Sequence, residues 1–243
     1  KSLKKDSNSR RNFIKNSGLI FSMMAIEANF LLDDKGEVLR DELLKKISSL
    51  NDEIIESLLL KQISDPGGRW DGGVKDIYEV PHAHATMNFV IKLSSAYPSP
   101  FSKFYLSNRL RKAITKAMKC IVLVQHDDGT IDLHSTNFHS TPDTAFFVNY
   151  LSPVYIVLKN LDQLKLKDLI SYFEIFLKKT SKCLLIGGAH TANHRWVICS
   201  ALARLNTFFP SSALVDRIET WLNEGVDLDP DGQYTEKSVG AYS

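Results

Sequence analysis

Apolar residues recur three or four apart through most of the chain, the spacing that collects side chains on one face of an α-helix. From Leu39 to Ile63 the pattern runs through Leu43, Leu44, Ile47, Leu50, Ile54, Ile55, Leu58 and Leu59, with polar Ser48 to Asn51 offering a break, until Asp65-Pro66-Gly67-Gly68 ends it. A loop carrying Arg69, Trp70, Asp71, Gly72 and Gly73 leads through Pro81 into a helix from about His84 to Tyr97, stopped by Pro98 and Pro100. A longer helix is predicted from about Lys103 to Gln125, with Leu106, Leu110, Ile114, Ala117, Met118, Ile121 and Val122 on its buried face. Asp127-Asp128-Gly129 turns the chain into a polar segment, Thr130 to Thr141, after which Pro142-Asp143 opens a helix reaching Leu161. Helices over Leu164 to Cys183, within Gly187 to Leu205, and from Ser211-Ser212 to near Gly225 complete the pattern.

No long alternation of apolar and polar residues marks a strand, so the fold class is all-α, with about seven helices joined by short turns. Asp-Gly pairs recur at Asp71-Gly72, Asp128-Gly129 and Asp231-Gly232, too degenerately for a solenoid of fixed sequence period. So many helices exceed one bundle core, and successive antiparallel hairpins closing into an (α/α) toroid are expected, incomplete in this chain.

Composition narrows this only a little. At 243 residues and 44% hydrophobic content the chain can bury a core as one domain. A net charge of +2 argues for no nucleic-acid partner. Cys120, Cys183 and Cys199 sit in apolar helical patterns without the close spacing of metal knuckles or redox pairs, so they read as buried thiols.

The N-terminus changes the picture more. Ser9-Arg10-Arg11-Asn12-Phe13-Ile14-Lys15 precedes an apolar run, Gly18 to Ile26, that is too short to span a membrane. This is the twin-arginine export pattern, which sets residues 1–29 aside as a signal, assigns 30–243 to the toroid, and places the protein in the periplasm or outside the cell with no stable membrane span. The chain starts at Lys1 and stops at Ser243 just after a dense polar motif, as a portion of a longer protein would.

The candidate chemistry centres on Gly187 to Leu205. Thr191 can cap the helix, which puts Asn193 and His194 in its first turn beside unpaired backbone N–H groups and the positive end of the dipole. An anion is favoured there, and an imidazole is biased toward the neutral form a base needs. Two further polar segments stand out, His134-Ser135-Thr136-Asn137-Phe138-His139 and Asp229-Pro230-Asp231-Gly232-Gln233-Tyr234-Thr235-Glu236-Lys237-Ser238, the latter ending in Tyr242.

An Asn-His pair at a helix start followed by Asp-Gly-x-x-x-Glu-x-Ser-x-x-x-Tyr resembles the heparinase II/III and alginate-lyase type of polysaccharide lyase. The resemblance covers roughly Trp70 to the end, and the β-sandwich that follows the toroid in such enzymes is absent from this sequence. It implies β-elimination on a uronic-acid polysaccharide, with Asn193 neutralising the uronate carboxylate, His194 as base or charge stabiliser, and Tyr242 as base or acid. Tyr234 competes with Tyr242. Eliminating a uronide removes the C5 proton and builds charge on the carboxylate, which an amide at a helix N-terminus can stabilise.

Around these, Glu236 is expected to orient its neighbours or bind Arg195. Arg195 binds substrate carboxylate or makes a structural ion pair, and both readings stand. His134, Asn137 and His139 are candidates to bind sugar hydroxyls, and the histidines to supply a second base or merely line a surface loop. Trp70 is the stacking candidate, whereas Trp196 is expected in the core. His190 and His194 are four apart, but the glutamate of a zincin motif is missing and Thr191 leaves His190 outside the helix, so neither metal nor cofactor is assigned. The expected partner is an acidic polysaccharide. A glycoside hydrolase using two of Asp143, Asp231 and Glu236, or a non-catalytic carbohydrate-binding domain, are the alternatives.

Overall fold

The computed structural model describes residues 34–134, 137–189, 191–225 and 230–232. The twin-arginine segment, His190, Tyr234, Glu236 and Tyr242 lie outside the described residues. Seven helices are described: α1 (Asp34–Leu60), α2 (Ala83–Ala96), α3 (Asn108–Val124), α4 (Thr141–Lys159), α5 (Gln163–Ile186), α6 (Ala192–Phe208) and α7 (Ser212–Asn223). Between α3 and α4 lies a two-stranded antiparallel hairpin, β1 (Ile131–Leu133) and β2 (Asn137–Ser140). The all-α class therefore holds, with 66% of the described residues helical. No described helix is long and apolar enough to cross a membrane.

The helices form two layers. Asn51 on α1 donates to the Lys92 carbonyl on α2, and the groove beside them joins Leu58 and Lys61 to Ala85 and Asn88, so α1 and α2 run antiparallel. Phe147 packs on Phe176 and Tyr155 on Phe173, which makes α4 and α5 antiparallel in the same way. Across hairpins the direction is preserved. Asn149 on α4 bonds to the Val197 carbonyl and to Ser200 on α6, one turn along from the Phe146–His194 ring contact, so α4 and α6 are parallel. Arg111 reaches the Lys165 carbonyl and Gln125 the Phe176 carbonyl, so α3 and α5 are parallel as well. Thus α2, α4 and α6 form one layer and α1, α3, α5 and α7 the other.

Side-chain contacts between successive hairpins join residues 48 to 59 positions apart. The repeats remain too degenerate for a fixed period, although each hairpin docks on the last after a step of similar length. Two Asp-Gly turns serve that step. Gly129, at φ +93°, lies where an added Cβ would sit 2.2 Å from the Lys179 carbonyl oxygen, and Gly72, at φ +91°, meets the Lys116 carbonyl at 2.5 Å. Only glycine fits a left-handed turn pressed so closely against the next helix.

The core lies between the layers, where Phe89, Leu93, Ile114, Ile121, Phe147, Phe173 and Phe176 are fully or almost fully buried. Cys120, Cys183 and Cys199 are buried and unpaired, as expected. Local boundaries differ from expectation for visible reasons. α1 runs unbroken through Ser48 to Asn51 because Ser48 and Asn51 turn their polar groups onto Ser99 and the Lys92 carbonyl. α3 starts at Asn108 rather than near Lys103, because the buried carboxylate of Asp52 binds the Ser102 hydroxyl and the Lys103 N–H and holds that segment in turns.

Candidate functional site

Parallel α2, α4 and α6 bring their N-termini to one rim of the structure. The described residues of the linkers entering them, 61–82, 125–134, 137–140, 187–189 and 191, lie toward that rim and carry most of the described polar candidates. Each inner helix presents backbone N–H groups and the positive end of its dipole there.

At the start of α2 the His82 Nδ1 accepts the His84 N–H at 3.2 Å and caps the helix. Burial, with the charges of His84 and His134, pushes His82 below its ordinary value, in keeping with a ring nitrogen that must stay unprotonated to accept. The His134 ring sits 5.1 Å from His82 and 5.9 Å from Trp70, edge to face with both. Trp70 is half-buried against the core, and a small cavity of about 100 Å³ opens beside it, lined in part by Arg69, Asp132 and His134.

The start of α4 supplies a carboxylate to this cluster. Ser140 caps the helix and its hydroxyl hydrogen-bonds Asp143, whose own N–H returns to Ser140 Oγ at 3.2 Å. Asp143 Oδ1 lies 3.6 Å from His84 Nε2, and the Asn137 amide also donates to Asp143. Burial opposes ionisation of Asp143, but the hydrogen bonds from His84 and Ser140, the His84 charge and the Asn137 bond outweigh it and hold the carboxyl below its ordinary value. The His84 ring stands edge-on to Phe147 at 4.7 Å.

His139 belongs to a separate arrangement on the hairpin. Its ring stacks on His126 at 3.8 Å, its Nδ1 lies 2.6 Å from Asp128, and its N–H donates to Asp132, which also pairs with His126 at 2.8 Å. Burial opposes ionisation of Asp128, but the Thr130 hydroxyl and N–H and His139 bring it down to about 2.

At the start of α6, Thr191 occupies the cap position without a side-chain cap bond; its hydroxyl donates to the Asn193 carboxamide instead. The expected hydroxyl cap is corrected accordingly. The His194 ring stands edge-on to Phe146 at 6.4 Å, one helical turn from Asp143. Arg195 donates to the Gly225 carbonyl at 2.8 Å, pairs with Glu224 at 3.1 Å and stacks over Trp221, so the structural ion pair is the role observed for it. Trp196 is half-buried, less enclosed than expected.

The structure therefore links Trp70, His134 and Asn137 through His82, His84 and Asp143, places Asn193 and His194 in the first turn of the neighbouring inner helix, where His194 meets Phe146, and sets His139 apart. It adds His82, His84 and Asp143. The available signal was His82-Ala83-His84 at a helix start, which one sequence alone did not distinguish from ordinary capping. No group of metal-ligating residues suited to a metal ion occurs among the described residues.

Comparison with known protein families, with curated proteins and with solved structures returns no match.

Proposed function

We propose that this chain is the helical catalytic part of an exported polysaccharide lyase that cleaves a uronic-acid glycan by β-elimination, its hairpins forming an arc of an (α/α) toroid. The observation that carries the reading is the rim itself. Three inner helices run parallel, with Asn193 and His194 in the first turn of α6 and His84, Asp143, Asn137, His134 and Trp70 gathered about the starts of α2 and α4. Such a surface favours a sugar acid and stabilises negative charge developing on it.

In the proposed reaction Asn193 hydrogen-bonds the uronate carboxylate. His194 or Tyr242 takes the C5 proton, the bond from C4 to the glycosidic oxygen breaks as the C4–C5 double bond forms, and Tyr242 returns a proton to the departing oxygen. Tyr234 is the alternative phenol, and Glu236 would orient this segment. The export signal would deliver the enzyme to the periplasm or beyond, where acidic polysaccharides are met.

Hydrolysis is the weaker reading on a specific ground. A glycoside hydrolase needs one carboxyl held protonated near neutral pH, whereas Asp143, its candidate at the start of α4, is pushed below the ordinary carboxylate range.

The test incubates the protein with alginate, glycosaminoglycan, pectic and plant-gum uronides and follows near-ultraviolet absorbance. An unsaturated uronide product supports elimination, and its loss in Tyr242→Phe supports the phenol's role. A reducing end without the chromophore would establish hydrolysis, and binding without a product would leave a carbohydrate-binding domain.

A further inference from the structure

The rim does not end at the start of α2. A groove of about 570 Å³ continues from His82 and His84 along the α1–α2 face, walled by Lys61, Asn88 and Lys92 on one side and by the loop bearing Asp76 and Glu79 on the other. Its acidic groups are already committed. Asp76 accepts the N–H groups of Tyr78 and Val80 within its own loop, and Glu79 pairs with Lys75 at 3.5 Å. Neither Lys61 nor Lys92 lies within 4.0 Å of a carboxylate among the described residues. The groove thus holds two ammonium groups with no carboxylate in direct contact, and a side-chain amide, while Asp76 keeps its charge within the opposite loop.

Burial pushes Lys92 below its ordinary value, and the charge of Lys61 adds to that effect. Two like charges held beside a half-buried cleft raise the energy of the empty site, which an anion between them would relieve.

The geometry points to a second subsite in this groove, in which Lys61 and Lys92, with the Asn88 amide, bind the carboxylate or sulfate of another sugar unit of an acidic glycan lying along the rim. Lys92 is eight residues beyond His84, about 12 Å along the helix axis, so the charge it meets belongs to a different sugar ring from one held at the helix starts. The choice of ligand rests on the acidic-glycan reading of the rim, whereas the charge argument depends on the groove alone.

Titration calorimetry on the full chain tests the subsite with three probes: an alginate tetrasaccharide, a heparin tetrasaccharide and neutral maltotetraose. At least one acidic tetrasaccharide should bind and maltotetraose should not. Binding of the alginate probe identifies a carboxylate subsite, and binding of the heparin probe alone a sulfate subsite. Lys61→Gln and Lys92→Gln should each weaken acidic binding about tenfold, the loss expected for one charge-assisted bond. Lys61 is exposed, so its replacement leaves the fold intact, and Lys92→Arg should retain binding if charge rather than packing matters. Unchanged affinity in both glutamine variants, equal binding of maltotetraose, or no binding of either acidic probe overturns the subsite. Lysine-dependent binding without an unsaturated product would reject the lyase reading and keep the subsite. Product formation with unchanged KM in both variants would do the reverse.

Discussion

Replacing Asp143 with alanine removes the acceptor at the junction of α2, α4 and the hairpin. Its side chain is only 13% exposed, accepts from the Ser140 hydroxyl, and lies 3.6 Å from His84 Nε2 with the Asn137 amide beside it. A bond to a charged group contributes about 1.5–3 kcal/mol, and a carboxylate in the first turn of a helix a further 0.3–1 kcal/mol or so. The three partners share one acceptor and can in part turn to water at the rim, so the contributions do not add fully, and a loss of about 3 kcal/mol is expected. For a domain of this size that corresponds to a fall in Tm of roughly 6–12 °C. The pH dependence fixes the mechanism. Because the folded carboxyl titrates below its ordinary 3.8, its contribution is complete above that value and disappears as pH falls through the lower folded value. Urea unfolding of the wild type and Asp143→Ala, with Asp143→Asn as the isosteric control, should therefore show a gap near neutral pH that narrows toward about pH 3. A variant within about 0.5 kcal/mol of wild type at neutral pH, or a gap that does not change with pH, would refute the account.

Three other substitutions or reactions probe separate parts of the structure. Gly129→Ala should lower the unfolding free energy measured in urea by about 2 kcal/mol or more, whereas Gly67→Ala, also at positive φ but with nothing within 4 Å, should cost only the backbone strain of about 1 kcal/mol; equal losses would remove the close approach to Lys179 from the argument. Burial pushes the thiols of Cys120 and Cys183 up to about 11 and about 12, so an aromatic disulfide reagent at mildly alkaline pH should label neither in the native protein and all three cysteines after denaturation; rapid native labelling of either would contradict their burial. If the proposed elimination is the reaction, Asn193→Ala should reduce its kcat/KM about a hundredfold while leaving the melting curve in place, and an unaltered rate would exclude the amide from it.

The helices were legible because their cause is local. Apolar spacing and capping residues such as Ser107, Ser140 and Asp162 lie within one turn of what they determine. The exceptions were decided at long range: Asp52 reaches some fifty residues along the chain to hold Ser102 and Lys103 out of α3. The β1–β2 hairpin escaped notice because its strands are three and four residues long and mostly polar. The candidate site was half visible. Asn193 and His194 announce themselves as neighbours in sequence, whereas His84 and Asp143 are 59 positions apart by number and meet only once the inner helices lie side by side.

The similar step from hairpin to hairpin has a consequence for any glycan on the rim. Its candidate contacts come from the linkers before α2, α4 and α6, hence from three successive units that otherwise touch only their neighbours. A bound chain would act as a clip across those joints, stiffening the arc by the free energy of its own binding, and fraying at either end unit would in turn loosen the grip on the polymer.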